Sequence, residues 1–280
     1  MSPCQRGRAG SRALLRAALA AGLFTSSLTP ASAQGRLNPE AVRRFDAFSA
    51  RVEESMTDRA SGAAPFLWLS EDRTRVRAAE QGRLVIERLG ANPELDGAMV
   101  HNWIGGVFVP GVTVDDVLSV FLDYDRYPDI YPGVEASRLL GREGDTQKLY
   151  QRLRRGNVVL DTWHDAGYSK LDGERVVTWS RSTEIREVEN AGQPDEELLP
   201  IGEDRGYMWR LYVYWRLEQT DDGVFAECHS ISLSRRVPFL LRWLVAPFIR
   251  NIPRQGMERS LEATRAEAWK LAAARSEVAN

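Results

Sequence analysis

Hydrophobic and polar residues alternate along six consecutive segments between residues 134 and 237, which is the period expected of β-strands. Short turns separate most of these segments, and Asp172-Gly173 and Asp222-Gly223 are dipeptides typical of tight hairpins. The pattern therefore predicts an antiparallel meander. The predicted strands are Val134–Leu140, Gln147–Arg154, Val158–Ser169, Arg175–Val188, Tyr207–Gln219 and Val224–Val237.

Helical spacing precedes this strand region. Asn38-Pro39-Glu40 is typical of a helix start, and Ser70 is predicted to cap a second short helix. Two early strands, Arg83–Leu89 and Met99–Val109, come next. Thr113–Asp116 then resembles a capping box, with aspartate in place of glutamate, and opens another helix.

Helical spacing returns after Pro238 and runs to about Ala274. Pro247 and Pro253 lie inside this pattern and predict a division of the helix into two parts. The acidic segment Glu189–Gly206 has no strand pattern and is predicted to form a surface loop or a flap over a cavity mouth. The whole order predicts an α+β fold, in which a curved antiparallel sheet wraps around one long C-terminal helix and extra helices precede the sheet.

The N-terminus has the pattern of an export signal. Three arginines and no acidic residue precede a short apolar run, Ala13–Phe24, in which a fourth arginine lies, and Ala31-Ser32-Ala33 fits a cleavage site. A mitochondrial transit peptide is the alternative interpretation. We therefore expect a signal peptide at residues 1–33, a helical extension at 34–82 and the main domain at 83–280, with the mature protein exported to the periplasm or outside the cell.

Composition excludes several classes of protein. The 280 residues carry a net charge of −2, so there is no basic excess that would suit nucleic acid. Two cysteines cannot form a disulfide framework, and the three histidines lack metal-ligand spacing. We expect no metal and no cofactor, and nothing in the sequence indicates the oligomeric state.

Particular segments resemble a known superfamily. The strand Trp103–Pro110 is followed by a helix and then by Asp123–Pro128, while Trp209-Arg210-Leu211, a hairpin and Val237-Pro238-Phe239 close the sheet. Over about Ala98–Trp269 the chain resembles the helix-grip superfamily of START, polyketide cyclase and coenzyme-Q-binding-like domains. This resemblance implies a cavity between the sheet and the terminal helix that holds a lipid, sterol, quinone or polyketide.

Polar residues on otherwise apolar strand faces are the candidates for chemistry. Alternation places Glu227 and His229 on one face of the last strand, Arg181 beside Trp179 on another strand, and His164 on a third. We predict that Arg181, Glu227, His229 and His164 project into one cavity. Two interpretations are open: a polar end that orients a ligand, or a buried network that satisfies itself.

Aromatic residues complete the candidate ligand-binding set. Trp209 and Trp215 are predicted to share one strand face, with Tyr212 and Tyr214 on the other beneath the N-terminal helices. With Trp103, Trp179 and Trp243 they could form a platform for a ring system, or they could simply pack the core. The arginines and aromatics of the terminal helix are open to two similar interpretations: peripheral contact with a membrane, or the buried face of the helix.

These observations favour an exported, non-enzymatic binding protein for a hydrophobic small molecule. The alternative is an enzyme of the cyclase, aromatase or dehydratase type that uses His229, His164 or Glu227 as acid or base. A third reading is an interaction module whose core is filled and takes no ligand.

Overall fold

The computed structural model describes residues 37–90, 92–236 and 239–278, and for residues 239–251 and 278 it describes the backbone alone. The predicted signal peptide lies outside the described residues. So do the side chains of Trp243 and of the basic and aromatic residues that begin the terminal helix, and their predicted contacts with a ligand or a membrane stay predictions.

The described chain contains five α-helices and nine strands in an α+β order. Two further single turns of 3-10 helix lie at Leu69–Glu71 and Tyr124–Arg126. In chain order the elements are α1 Pro39–Ala60, α2 Arg73–Glu80, β1 Val85–Arg88, β2 Ala98–Pro110, α3 Val114–Leu122, α4 Tyr127–Ile130, β3 Val134–Glu143, β4 Thr146–Arg155, β5 Val158–Lys170, β6 Arg175–Glu189, β7 Glu197–Leu198, β8 Arg210–Thr220, β9 Gly223–Arg235 and α5 Phe239–Val278.

The strands form one curved antiparallel sheet in the order β1-β2-β9-β8-β6-β5-β4-β3, with the two-residue β7 paired to β6. Neighbours in sequence are neighbours in the sheet from β3 to β6 and from β8 to β9, as the hairpin turns predict. The exception is β2, which pairs along its whole length with β9, so that the first long strand lies beside the last. The α+β prediction is confirmed.

Helices cover both faces of this sheet. On the inner face, Val107, Leu217 and Ala226 pack with α3 and with Leu261 of α5. On the outer face, Ile231 and Leu233 pack against Phe45 of α1. The turn at Leu69 and its neighbours cover a second part of the outer face. Residues 37–82 therefore form an additional layer on the side of the sheet away from α5.

Local capping agrees with the sequence at two of three helix starts. The Asn38 side chain accepts the backbone N–H of Glu40, and Thr113 and Asp116 form the predicted capping box. The prediction for Ser70 is wrong. Asp72 caps α2 instead, since its carboxylate accepts both the N–H and the hydroxyl of Thr74, whereas Ser70 lies within the preceding 3-10 turn.

The C-terminal helix differs from the prediction as well. The backbone of α5 forms one continuous α-helix through Pro247 and Pro253, so these prolines do not divide it. The described helices include none that is long and apolar enough to cross a bilayer. In the predicted flap, Leu198 pairs with Val188, so this acidic segment folds back on the end of β6 and contains a short strand that its sequence did not predict.

Two consecutive glycines in β2 allow both layers to approach the sheet closely. A Cβ added to Gly105 would lie 2.8 Å from Sδ of Met257 on α5, and one added to Gly106 would lie 2.5 Å from Cδ1 of Leu69. Adjacent residues in a strand face opposite sides. Gly105 therefore makes room for α5, and Gly106 makes room for the N-terminal extension.

Candidate functional site

The four polar residues predicted to share one cavity lie on two faces of the sheet. Arg181, Glu227 and His229 face outward under the N-terminal extension, whereas His164 faces inward. The register of β5 against β6 explains the difference, because it places Asp165 opposite Arg181, with a bulge beside His164. Alternation correctly predicts which residues of one strand share a face. Which faces of two neighbouring strands lie on the same side of the sheet depends on the register between them.

Glu227 is bound on both carboxylate oxygens by the protein itself. Nε of Arg216 donates to Oε1 at 2.9 Å, and the backbone N–H of Leu69 donates to Oε2 at 2.9 Å. The Arg216 and Glu227 side chains are 5% and 0% exposed. In the predicted buried network Arg181 is the arginine, whereas in the structure Arg216 is the arginine that binds Glu227. Both charges are buried and hydrogen-bonded, which is the arrangement that buried ions need.

Arg181 pairs with the extension instead of the sheet. Its Nε donates to Glu53 of α1 at 2.6 Å, and the Tyr214 hydroxyl donates to the same carboxylate oxygen. The guanidinium also lies 4.8 Å from the ring centre of Trp179. That indole rests on Gly167, where an added Cβ would lie 2.8 Å from the ring. Arg181 and Trp179 thus hold α1 against the outer face.

His229 is buried on the outer face, with Nε2 2.7 Å from Oδ1 of Asn102. Burial, and then the positive charges of Arg216 and Arg59, lower its pKa to about 3. The imidazole is therefore neutral at pH 7 and donates Nε2–H to the amide oxygen. Asn102 is not among the predicted site residues. A single asparagine in an apolar strand does not indicate a hydrogen-bond partner until the residue across from it is known.

His164 has a different environment on the inner face. It is 4% exposed, and its Nδ1 lies 3.2 Å from the hydroxyl of Ser180. Its Nε2 is buried and has no hydrogen-bond partner among the residues that the structure describes. Burial lowers the pKa of His164 to about 4, so the ring is neutral at pH 7. A buried polar atom without a hydrogen-bond partner is rare in a folded protein, so Nε2 of His164 is a candidate to bond a ligand atom.

A band of serines extends from His164 across the inner face. The register places Ser180 in line with Val213, Ser230 and Trp103 on successive strands. A parallel row contains Ser182, Leu211 and Ser232, and the N–H of Leu211 donates to the Ser182 hydroxyl. The sequence analysis missed these serines. Their signal is the alternation of Ser230, Ser232 and Ser234 in β9 and of Ser180 and Ser182 in β6.

The inner face is not completely covered by the described side chains. Trp103, Leu211 and Val213 lie on central strands and remain partly exposed. Val107 and Leu217, nearer the other end of the same face, are fully buried beneath α3 and α5. The partly exposed surface of this face therefore lies at Trp103, Leu211 and Val213, beside the serine band.

The candidate tryptophans divide between the two faces. Trp215 packs on Phe121 of α3 with ring centres 4.6 Å apart, and Trp103 packs against the same inner core. Trp209 precedes β8 and packs on the outer face, where its indole N–H donates to Asp204 at 2.8 Å. The predicted sharing of a face by Trp209 and Trp215 is therefore wrong. Tyr212 and Tyr214 do pack beneath the N-terminal helices, as predicted.

A polar groove of about 430 Å³ lies where the flap meets the ends of β5 and β6. Its deepest charged residue is Glu187, which is 3% exposed and lies on the inner face opposite Leu160. The carboxylate accepts the backbone N–H of Tyr207 at 3.1 Å and lies 3.6 Å from Nη1 of Arg205. Burial raises the pKa of Glu187. Flap residues such as Asn190, Gln193 and Arg205 therefore line this groove together with the end of β6.

The described part of the chain contains no evident metal-binding site. Within residues 37–90, 92–236 and 239–278 there is no group of three histidine, cysteine or acidic side chains arranged to hold an ion. Cys228 is buried in the inner core, where burial raises the pKa of its thiol above the usual range.

No family model and no curated protein matches the chain. Solved structures do. A STAR-related lipid transfer protein from Xanthomonas axonopodis is 20% identical with a TM-score of 0.41, covering 63% of this chain and 96% of its own. The Zhui aromatase/cyclase of Streptomyces is 13% identical with a TM-score of 0.43, covering 62% and 94%. Human STARD10 is 9% identical with a TM-score of 0.43, covering 74% and 82%.

The chain's own architecture identifies its fold. One long C-terminal helix packs on the inner face of a curved antiparallel sheet, in which the first long strand, β2, lies beside the last strand, β9. Helices α3 and α4 connect β2 to the meander, which is the order that the sequence resemblance implies. This chain therefore has a helix-grip fold, with an N-terminal helical layer added to the outer face.

Proposed function

We propose that the protein binds a hydrophobic small molecule between the inner face of the sheet and α5, and that His164 hydrogen-bonds the polar group of that molecule. The observation that carries this proposal is the buried and unpartnered Nε2 of His164. The partly exposed Trp103, Leu211 and Val213 supply apolar surface beside it. An apolar pocket with a few convergent polar groups is the usual form of a small-molecule site.

The outer-face candidates are better explained as structure. Glu227 and His229 have their polar atoms bound to Arg216, Leu69 and Asn102, all within the protein. A ligand would have to replace those bonds in order to bind there, and each buried group left without a partner is costly. Ligand recognition is therefore proposed for the inner face alone.

The test compares two buried histidines on opposite faces. We expect His164→Leu to lose the co-purifying ligand, or to retain less than a tenth of it, while its melting temperature stays close to that of the wild type. His229→Leu is the matched control. It should lose stability, because Asn102 is left unpaired, but it should keep its ligand. Native mass spectrometry of protein purified from its own host gives the ligand content, and calorimetry gives the melting temperature.

Three results would contradict the proposal. Equal ligand content in the two variants would remove His164 from the site. Ligand loss confined to His229→Leu would move the site to the outer face. A wild-type protein that carries no small molecule and takes up none would favour the third reading, an interaction module with a filled core.

Catalysis by His164 is a second candidate function, because its neutral imidazole leaves Nε2 free to accept or donate a proton. This role would make the protein an enzyme of the cyclase, aromatase or dehydratase type. Incubation of the bound molecule with the protein, followed by mass spectrometry, separates the two functions. An unchanged mass supports binding alone, whereas loss of water or a new ring system that His164→Leu abolishes supports catalysis.

We also propose that the protein is exported, on the basis of the arginine-rich start and Ala31-Ser32-Ala33. N-terminal sequencing of protein recovered from its host should show a chain that begins at Gln34. A chain that retains Met1, or that begins far from Gln34, would contradict export through this signal. Fractionation of periplasm and medium then gives the destination.

A further inference from the structure

We propose that the inner-face site selects molecules whose polar end is uncharged, such as hydroxyl, carbonyl or ester groups, and that it rejects carboxylates, phosphates and sulfates. This inference rests on the proposed function and names the class of ligand for the same site. It depends on the chemistry of the residues that line the inner face, strand by strand.

The inner-face positions that the register aligns across the four central strands carry no ionised side chain, and the nearest acid on these strands is Glu187, further along β6. The register aligns these positions in rows across β2, β9, β8 and β6. Every residue in the rows is apolar, a hydroxyl, a thiol or a histidine. Strand by strand, these residues are His101, Trp103, Gly105 and Val107 on β2; Ser232, Ser230, Cys228 and Ala226 on β9; Leu211, Val213, Trp215 and Leu217 on β8; and Ser182, Ser180, Thr178 and Val176 on β6.

The two histidines in this region are neutral at pH 7. Burial lowers the pKa of both His101 and His164 to about 4. His101 Nε2 also lies 2.9 Å from the hydroxyl of Ser234, so it is paired within the sheet. Neither ring carries a charge that could balance an anion.

The next strands continue the uncharged surface. On β5 and β4 the inner-face residues are Leu160, Thr162, His164 and Ala166, and Gln147, Leu149, Gln151 and Leu153. Oε1 of Gln147 and Oγ of Ser137, on β3 across from Gln151, are buried and have no partner among the described residues. Oε1 of Gln147 can accept a hydrogen bond from a hydroxyl, whereas Oγ of Ser137 and Nε2 of His164 can donate to a neutral oxygen or accept from a hydroxyl.

The acidic groups nearest to this surface lie beside cations of the protein. Glu187, at the end of β6, accepts the Tyr207 N–H through Oε1, and its Oε2 lies 3.6 Å from Nη1 of Arg205 with no hydrogen bond among the described residues. On α5, Glu267 forms ion pairs with Arg126 at 2.8 Å and with Lys270 at 2.9 Å. Arg155, at the end of β4, has no acidic partner among the described residues and donates to the Ile252 carbonyl and to Gln255, but it lies six residues along β4 from Leu149, which is opposite His164. A ligand anion against the serine band would therefore face no cation there.

Burial of an ion without a counter-charge is far more costly than burial of a hydrogen-bonded hydroxyl. A carboxylate against the serine band would lose its hydration and gain only neutral donors. An alcohol or ester of the same length loses much less hydration and can pair with Nε2 of His164 or with the serine hydroxyls. The same apolar chain should therefore bind in its neutral form and be rejected in its ionised form.

Matched probes test this selectivity in the full-length mature protein. Dodecanol, methyl dodecanoate and dodecanoate share one alkyl chain, and cholesterol and cholesterol sulfate share one ring system. We expect the neutral members to bind about tenfold or more tightly than their ionised partners at pH 8, by isothermal titration. Equal affinity, or tighter binding of the anions, would overturn this inference while leaving the proposed function intact. Binding of none of the five would contradict the proposed function itself.

A designed cation should reverse the preference. Ser230→Lys places a positive charge at a partly exposed position in the serine band, so we expect dodecanoate to become the preferred member of its series. Ser169→Lys is the matched control, since it adds the same charge at an exposed position near the end of β5 and should leave the selectivity unchanged. If Ser230→Lys does not fold, Ser232→Lys makes the same test. A folded variant that keeps the wild-type preference would contradict the inference.

Discussion

The backbone N–H of Leu69 donates a 2.9 Å hydrogen bond to the carboxylate of Glu227, which lies 158 residues further along the chain. The bond joins the N-terminal extension to the last strand of the sheet. Since the other oxygen of Glu227 is bound by Arg216, one buried carboxylate holds together two strands and the layer that covers them.

Glu227→Gln should destabilise the protein strongly and leave ligand affinity unchanged. The substitution leaves the Arg216 guanidinium buried without its counter-charge, and breaking such a pair costs about 3–5 kcal/mol. Urea unfolding gives the free energy of unfolding. Glu258→Gln is the control, because it breaks a 3.1 Å ion pair between side chains that are 53% and 36% exposed and should cost less than about 1 kcal/mol. Weakened ligand binding without loss of stability would instead show that Glu227 contributes to the ligand site.

Alanine at either glycine of β2 should separate one layer from the sheet without disturbing the other in the same way. Gly106→Ala forces Leu69 outward and Gly105→Ala forces Met257 outward, each at a cost of about 1–3 kcal/mol. Hydrogen exchange should show faster exchange in residues 66–80 for the first variant and in residues 257–268 for the second. Gly141→Ala in β3 is the control, since its added Cβ meets nothing within 4 Å. Faster exchange in the same layer for both variants would contradict the assignment.

Acid should destabilise the wild type through its buried histidines. The pKa of His164 is about 4 in the folded protein, against an ordinary value of 6.5 that applies to the unfolded chain. Below pH 6.5 the unfolded chain therefore binds the proton more readily than the folded protein does. Stability is therefore fully present near pH 7 and falls as the pH approaches 4.

The matching measurement is the free energy of unfolding at pH 7 and at pH 5. Wild type should lose about 2 kcal/mol more than His164→Leu over this interval. Glu187 and Glu218, whose pKa values are raised by burial, oppose this trend but are present in both proteins. Parallel losses in the two proteins would show that His164 is not buried in its neutral form.

The apolar face of α1, more than its ion pair, should hold the extension in place. Phe45 is fully buried against Tyr212, and Phe45→Ala should cost about 3–5 kcal/mol. Arg181 and Glu53 are 41% and 30% exposed, so Arg181→Met should cost about 1 kcal/mol or less. Exchange rates of the α1 amides measure both effects. A larger effect of Arg181→Met would reverse this ranking.

The sequence predicts the elements of this fold well because each follows from local rules. Strand alternation, the Asp-Gly hairpins and the Thr113 capping box depend on residues that are close in the chain, and the structure bears them out. The continuity of α5 through its prolines and the pairing of Leu198 with Val188 depend on packing and were not predicted.

The candidate site was harder to predict because it depends on register. Alternation shows that Glu227 and His229 share a face, but it does not show that this face lies beneath α1 and the Leu69 turn. A bulge beside His164 sets which β6 residues it meets. The unpartnered Nε2 became visible only when the neighbours of His164 were known, while the alternating serines that surround it were present in the sequence from the start.

The paired glycines make the sheet only one backbone thick at a single point, with Leu69 against one side and Met257 against the other. No side chain separates the two layers there to absorb movement. A displacement of α5 when a ligand enters would press through the strand on Leu69 and so on its bond to Glu227. Gly105-Gly106 thus connects the inner face beneath α5 with the N-terminal layer on the outer face. Ligand binding on the inner face should therefore change the exchange rate of the Leu69 amide.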